Sequence, residues 1–121
     1  MLLSSINPKR GEVWRVDLDP TIGSEMQKSR PCVVVSTDGI GRLPMRWIVP
    51  LTGWKPAYAG YPWCVPIDAD KASGLSKASA ADTFQMRSVS VLRMSARLGT
   101  LPEAKMGAIA KAIALCVDYE P

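Results

Sequence analysis

Glu12-Val13-Trp14-Arg15-Val16-Asp17-Leu18 and Pro31-Cys32-Val33-Val34-Val35-Ser36 are the two stretches on which the fold reading turns. In the first, Trp14, Val16 and Leu18 fall on one side and Arg15 and Asp17 on the other, the period of two of a half-buried strand. The second is a continuous β-branched run, suited to a strand covered on both faces. Between them, Asp19 to Arg30 is polar and carries both Pro20 and Gly23, so it reads as a loop. Thr37-Asp38-Gly39 is turn chemistry.

Working outward, Arg46-Trp47-Ile48-Val49-Pro50-Leu51 predicts a third strand whose ladder ends, or lies at an edge, at Pro50. Thr52 to Pro62 reads as a second loop, Trp63-Cys64-Val65-Pro66-Ile67 as a short strand, and Ser73 to Ala81 as a weak one. Val and Ser alternate in part between Gln85 and Met94, which places at least one more strand there. Thr100-Leu101-Pro102-Glu103 has the form of a capping box, with a proline in the first turn. Met106, Ile109, Ala110, Ile113 and Val117 then recur at helical spacing, predicting an amphipathic helix packed on the sheet. The expected architecture is mainly β, a small curled antiparallel sheet or partly open barrel of short strands with one C-terminal helix. At 121 residues the chain is expected to form a single domain, residues 1–121.

Composition excludes several classes of function. With 47% hydrophobic and 21% charged residues, the chain has the makeup of a folded domain rather than a disordered segment. Lys and Arg outnumber Asp and Glu by 15 to 11, a tilt toward an anionic partner. The three cysteines, Cys32, Cys64 and Cys116, are scattered and odd in number, which fits reduced thiols better than a disulfide framework or a metal knuckle. No apolar run is long enough to span a bilayer, and Met1-Leu2-Leu3 is too short for the core of a signal peptide, so a cytoplasmic location without membrane contact is expected. There is no histidine. A Ser-His-Asp triad, a His-based zinc site and a two-histidine nuclease are therefore excluded, and any catalysis falls to Arg, Lys, carboxylates, hydroxyls or thiols.

Two loops stand against apolar strands. In the first, Pro31 drives Arg30 toward an extended backbone, so that its guanidinium, with Lys28 nearby, suits a phosphate at the loop edge. The other reading is that Arg30 pairs with Glu25 or Asp19 and fixes the loop. In the second, the Thr52 hydroxyl is placed either to donate to a phosphate oxygen or to cap a strand end. Trp54, Lys55, Tyr58 and Tyr61 follow among glycines and prolines. Aromatic faces between cations suit single-stranded nucleic acid; the alternative is a lid folded on the sheet. Trp54 beside Lys55 is the better stacking candidate, and Trp63 is expected in the core. Asp17, Asp19 and Glu25 lack the pattern of a hard-cation loop, so no metal site and no cofactor are expected.

The blocks Arg10-Gly11-Glu12-Val13-Trp14, Leu18-Asp19-Pro20-Thr21-Ile22-Gly23-Ser24-Glu25, Ser29 to Ser36, Val49-Pro50-Leu51-Thr52 and Gln85-Met86-Arg87-Ser88-Val89 occur in an order that resembles the PemK/MazF family of bacterial toxins. The resemblance implies an SH3-like, CcdB-type barrel, a homodimer, and metal-independent cleavage of single-stranded mRNA at short sequence motifs, silenced by a cognate antitoxin. It further implies attack of the RNA 2′-OH on the adjacent phosphorus, with Arg30 and Thr52 catalytic and Glu25 as the base. Gln27, Lys28, Trp54, Lys55, Gln85 and Arg87 become candidate RNA contacts. Two positions depart from the family pattern: Phe84 stands where many members have Asp before the Gln, and Ser24 where some have His. The rival readings are a CcdB-like gyrase-binding toxin and an inactive SH3-like interaction module. The C-terminal Cys116-Val117-Asp118-Tyr119-Glu120-Pro121 is acidic and lacks the tryptophan such gyrase binders use.

Overall fold

The structure, a computed structural model, describes residues 6–120; the Met1-Leu2-Leu3 start and Pro121 lie outside the described residues. Seven strands precede one helix: β1 (Glu12–Asp17), β2 (Ser29–Val34), β3 (Met45–Gly53), β4 (Cys64–Ile67), β5 (Ser79–Asp82), β6 (Arg87–Ser90), β7 (Met94–Thr100) and α1 (Glu103–Cys116). They form one antiparallel sheet in the order β4-β5-β3-β2-β1-β7, with β6 alongside the first half of β3. The expected mainly β architecture with a C-terminal helix is what forms. No helix among the described residues is long and apolar enough to cross a membrane.

Strand alternation feeds two separate cores. One face buries Trp14, Val16, Leu18, Cys32, Val34, Ile48 and Val89, and the curl of the sheet brings Val91 and Met94 over them. Two register shifts of β1 against β7 supply much of that curl, since an extra residue on one strand bends it and increases its twist. The opposite face carries Val13, Val33, Val49 and Leu51, covered by Met106, Ile109 and Ala112 of α1. The β-branched run of β2 is thus covered on both sides, as its composition requires.

Six local expectations change. β2 begins at Ser29, so Arg30 lies inside a strand opposite Val16 rather than at a loop edge. β3 does not stop at Pro50. Its pairing with β6 ends at Ile48 and that with β5 begins at Leu51, so Pro50 falls between two ladders where its missing N–H interrupts neither. Thr52 therefore sits in a strand, not a loop. The capping box is absent: Thr100 is the last residue of β7, its N–H donates to the Ala72 carbonyl, and Pro102 occupies the N-cap with no side-chain cap. Glu103 turns instead to Arg10, 3.5 Å away. On α1, Ala112 rather than Ala110 faces the core, and Val117 is exposed. Trp63 is only half-buried; it stacks on Tyr61 at 5.0 Å and belongs to neither core.

The cysteines differ in reactivity. Burial pushes the Cys32 thiol from the ordinary 9.0 to about 12, against the pull of Arg30, Arg87 and Arg15. Burial, with Asp82 and Cys116 adding to it, pushes Cys64 up to about 11. Because the thiolate is the nucleophile, iodoacetamide at pH 8 should modify half-exposed Cys116 first and reach the other two only on unfolding, as mass spectrometry of digests would show. Both raised thiols stabilise the fold fully below pH 9. That contribution is lost as pH rises through 11 and 12, since the unfolded chain ionises first. Equal labelling of all three thiols in the native protein would contradict this assignment.

Candidate active site

Arg30 and Thr52 are 22 residues apart, yet the register brings them together. Cys32 pairs with Pro50. Two residues toward the strand end, Arg30 and Thr52 share a sheet face, and the Arg30 Nη1 donates to Thr52 Oγ1 at 3.3 Å. Arg30 Nε donates to the Gln27 carbonyl at 2.9 Å. The guanidinium is thereby held by two acceptors, and among the described residues its Nη2 makes no hydrogen bond. Because Thr52 Oγ1 accepts from Arg30, its own proton stays available to a third group. Arg30 pairs with neither Glu25 nor Asp19: among the described residues the ion pairs are Arg10–Glu103 and Arg97–Glu12.

The loop from Asp19 to Lys28 is braced from within and from outside. Asp19 Oδ1 accepts from the Lys28 N–H at 3.0 Å and from the Thr21 hydroxyl. Lys28 takes a left-handed φ of 70° to make that turn. Glu25 Oε1 accepts from the Ile22 N–H at 2.7 Å, closing the Gly23-Ser24 turn. Gln85 acts as a clamp that sequence reasoning did not assign to it. Its Oε1 accepts from the Met26 N–H and its Nε2 donates to the Ser24 carbonyl, at 3.1 and 2.9 Å. Arg87 Nη1 donates to the Leu18 carbonyl at 3.0 Å, and Arg93 donates to the Asp17 and Asp19 carbonyls. The loop next to Arg30 is thus held before any ligand arrives.

Sequence-predicted site residues line two cavities. The larger, about 490 Å³, is lined by Arg30 and Thr52 with Arg15, Lys28, Lys77, Gly53 and the 74–76 turn, and no carboxylate faces it. The second, about 280 Å³, is lined by Glu25, Met26, Pro50, Phe84, Gln85 and Arg87. Glu25 thus lines a different cavity from Arg30 and Thr52 and does not join the pair. Gln27 and Lys55 are exposed. Trp54 is half-buried and meets Tyr58 edge-on at 5.9 Å. From there an aromatic chain continues through Tyr61 and Trp63 to Phe84. Arg15 and Lys77 were missed by sequence reasoning. Arg15 was visible as the outward phase of β1, but nothing local signals Lys77. Asp82 at the end of β5 caps the turn into Phe84, and burial raises its carboxyl pKa. Among the described residues, no three His, Cys, Asp or Glu side chains group to hold a metal ion.

Comparison with known proteins identifies the family and the fold. A family model described as PemK-like, MazF-like toxin of type II toxin-antitoxin system matches residues 9–117. The chain is 34% identical over 116 residues to "Endoribonuclease MazF9" of Mycobacterium tuberculosis, covering 91% of this chain and 96% of that protein. Its fold matches a crystal structure of MazF from Deinococcus radiodurans with TM-score 0.79 at 19% identity, over 93% of this chain and 98% of the other. It also matches an endoribonuclease in complex with its cognate antitoxin from a mycobacterial species, with TM-score 0.72 at 21% identity, over 94% and 98% of the two chains. At such identities the two structures establish the barrel.

Proposed function

The chain belongs to the PemK-like, MazF-like toxin family of type II toxin–antitoxin systems, and from that premise we propose that it is an endoribonuclease that cleaves single-stranded mRNA without a metal ion. The observation that carries the proposal is the Arg30 guanidinium hydrogen-bonded to the Thr52 hydroxyl, both residues lining a cavity that also holds Arg15, Lys28 and Lys77 and no carboxylate. A gyrase-binding protein or a passive module has no need of that pair.

In the proposed reaction the 2′-oxygen bonds to the adjacent phosphorus and the bond from phosphorus to the 5′-oxygen breaks. The products are a 2′,3′-cyclic phosphate and a 5′-OH. Arg30 Nη2 and the Thr52 hydroxyl proton donate to the non-bridging oxygens as their charge grows, the electrostatic role that dominates such chemistry. A guanidinium is a donor and not a base, so the 2′-OH proton is assigned to Glu25, whose second carboxylate oxygen is left over from the bond to Ile22. Gln27, Lys28, Trp54, Lys55, Gln85 and Arg87 are proposed to hold the RNA on either side, Gln85 and Arg87 with the donors that the loop clamp leaves over. The protein is proposed to be inhibited by a cognate antitoxin, a reading the family description supports, and to work in the cytoplasm as a homodimer.

The test is to incubate the purified chain with a long end-labelled RNA in excess EDTA and to map the fragments. Fragments at a short recurring motif, with cyclic phosphate and 5′-OH ends, are the expected result. Intact RNA, or 5′-phosphate ends, would overturn the proposal.

A further inference from the structure

The proposed chemistry uses Arg30 and Thr52 and leaves two cations of the same cavity without a task. Arg15 and Lys77 are both exposed and form no ion pair among the described residues. Alternation separates them from the catalytic pair. Arg15 pairs with Pro31 and Val16 with Arg30, so the Arg15 side chain leaves the sheet on the face opposite Arg30. Gly53 follows Thr52 and faces that same opposite side, where a Cβ would lie 3.1 Å from Lys77 Nζ and 3.2 Å from its Cε. Lys77 therefore lies flat over the Gly53 backbone, and the absence of a side chain there is what admits it.

The approach of Lys77 is built in. The turn that delivers it is tied by Ser73, a buried residue whose hydroxyl donates to the Asp68 or Asp70 carbonyl and accepts from the Leu75 and Asp70 N–H groups. Asp70 Oδ1 returns a bond from the Ser73 N–H at 2.7 Å. Four cations, Arg15, Lys28, Arg30 and Lys77, thus line one cavity with no carboxylate. One phosphodiester carries a single negative charge and leaves most of them unmatched.

We propose that Arg15 and Lys77 hold the phosphate next to the scissile one, so that the RNA backbone crosses the end of the sheet from one face to the other. Arg30 and Thr52 grip the reacting phosphate on the first face, and Arg15 and Lys77 grip its neighbour on the second. Both are positioning residues; they set the minimum length of RNA that binds well. The nature of the ligand rests on the ribonuclease reading above.

The experiment compares two uncleavable 2′-O-methyl ligands by fluorescence anisotropy at stepped salt: a tetranucleotide with three phosphates and a dinucleoside with one. The proteins are wild type, Arg15→Ala, Lys77→Ala and Lys77→Arg, with Lys111→Ala on α1 as control. On the tetranucleotide each alanine variant should bind about five- to tenfold more weakly at low salt. Each should also flatten the plot of log affinity against log salt by about 0.7, the change expected when one phosphate fewer is neutralised on a single strand. Lys77→Arg should restore most of the affinity, and the control should change nothing. On the one-phosphate ligand all variants should match wild type within about twofold, since it has no neighbouring phosphate for them to hold. Equal weakening on both ligands, or none on either, would overturn the assignment. Unmodified RNA of the same sequence separates the two proposals. Uncut RNA with the binding differences preserved removes the ribonuclease reading alone, and cleavage without those differences removes only the second phosphate site.

Discussion

Arg30→Ala should lower single-turnover cleavage of a labelled RNA by about a thousandfold while leaving the protein folded. Removing one preorganised donor to a developing oxyanion costs on the order of 10²–10³ in rate. Arg30 supplies its own donors and also orients the Thr52 hydroxyl. Arg30→Lys should recover less than a tenth of the loss. A lysine keeps the charge but cannot reach the Gln27 carbonyl, Thr52 Oγ1 and a phosphate together, which the planar fork does. Thr52→Val, close to isosteric, should cost about a hundredfold by removing only the hydroxyl. All three should keep their melting temperatures within a few degrees, because both residues lie near the ends of β2 and β3 and neither belongs to a core. Arg30→Ala cleaving at the wild-type rate would end the mechanism.

The largest effect on stability is expected at Gly99. A Cβ there would lie 2.2 Å from the Ala72 carbonyl oxygen and 2.5 Å from the Ser73 carbonyl carbon, both backbone atoms that cannot swing aside. The neighbouring Thr100 N–H donates to that same Ala72 carbonyl at 2.8 Å, so any shift also breaks that hydrogen bond. Gly99→Ala should cost about 3 kcal/mol or more and lower the melting temperature by roughly 10 °C. Gly74 meets the same crossing from the other side. Its φ is +73°, and a Cβ would come 2.0 Å from the Leu98 carbonyl oxygen. Gly74→Ala should therefore be comparably harmful, and the double variant less than additive because both substitutions open one crossing. Differential scanning calorimetry decides this; a Gly99→Ala melting temperature within about 3 °C of wild type would show that the crossing is not tight. The same turn carries Lys77, so loosening it also removes a cation from the cavity.

Much of this molecule was legible in the chain itself. Strict alternation in β1 and the β-branched run of β2 declare which side chains are buried, because a strand's period of two is a local property. The absence of histidine limits the chemistry whatever the fold. The order of the Arg10, Leu18, Ser29, Val49 and Gln85 blocks pointed to the toxin family that the comparisons then established. The capping box misled for an equally local reason: Thr100 has the right neighbours, but its backbone is taken by the Ala72 carbonyl and by Glu12 across the ladder.

What the tertiary structure alone decided is which distant groups meet. The Arg30–Thr52 contact depends on the register of β2 against β3, the Gln85 clamp joins residues 59 and 61 positions apart, and Lys77 reaches Gly53 only because a turn tied by Ser73 crosses β7. Each is the outcome of strand pairing and close backbone approach summed over the whole sheet. Propensity and periodicity act over a few residues and carry no term for it, so the groups proposed to act on RNA were visible one by one while their assembly into a site was not.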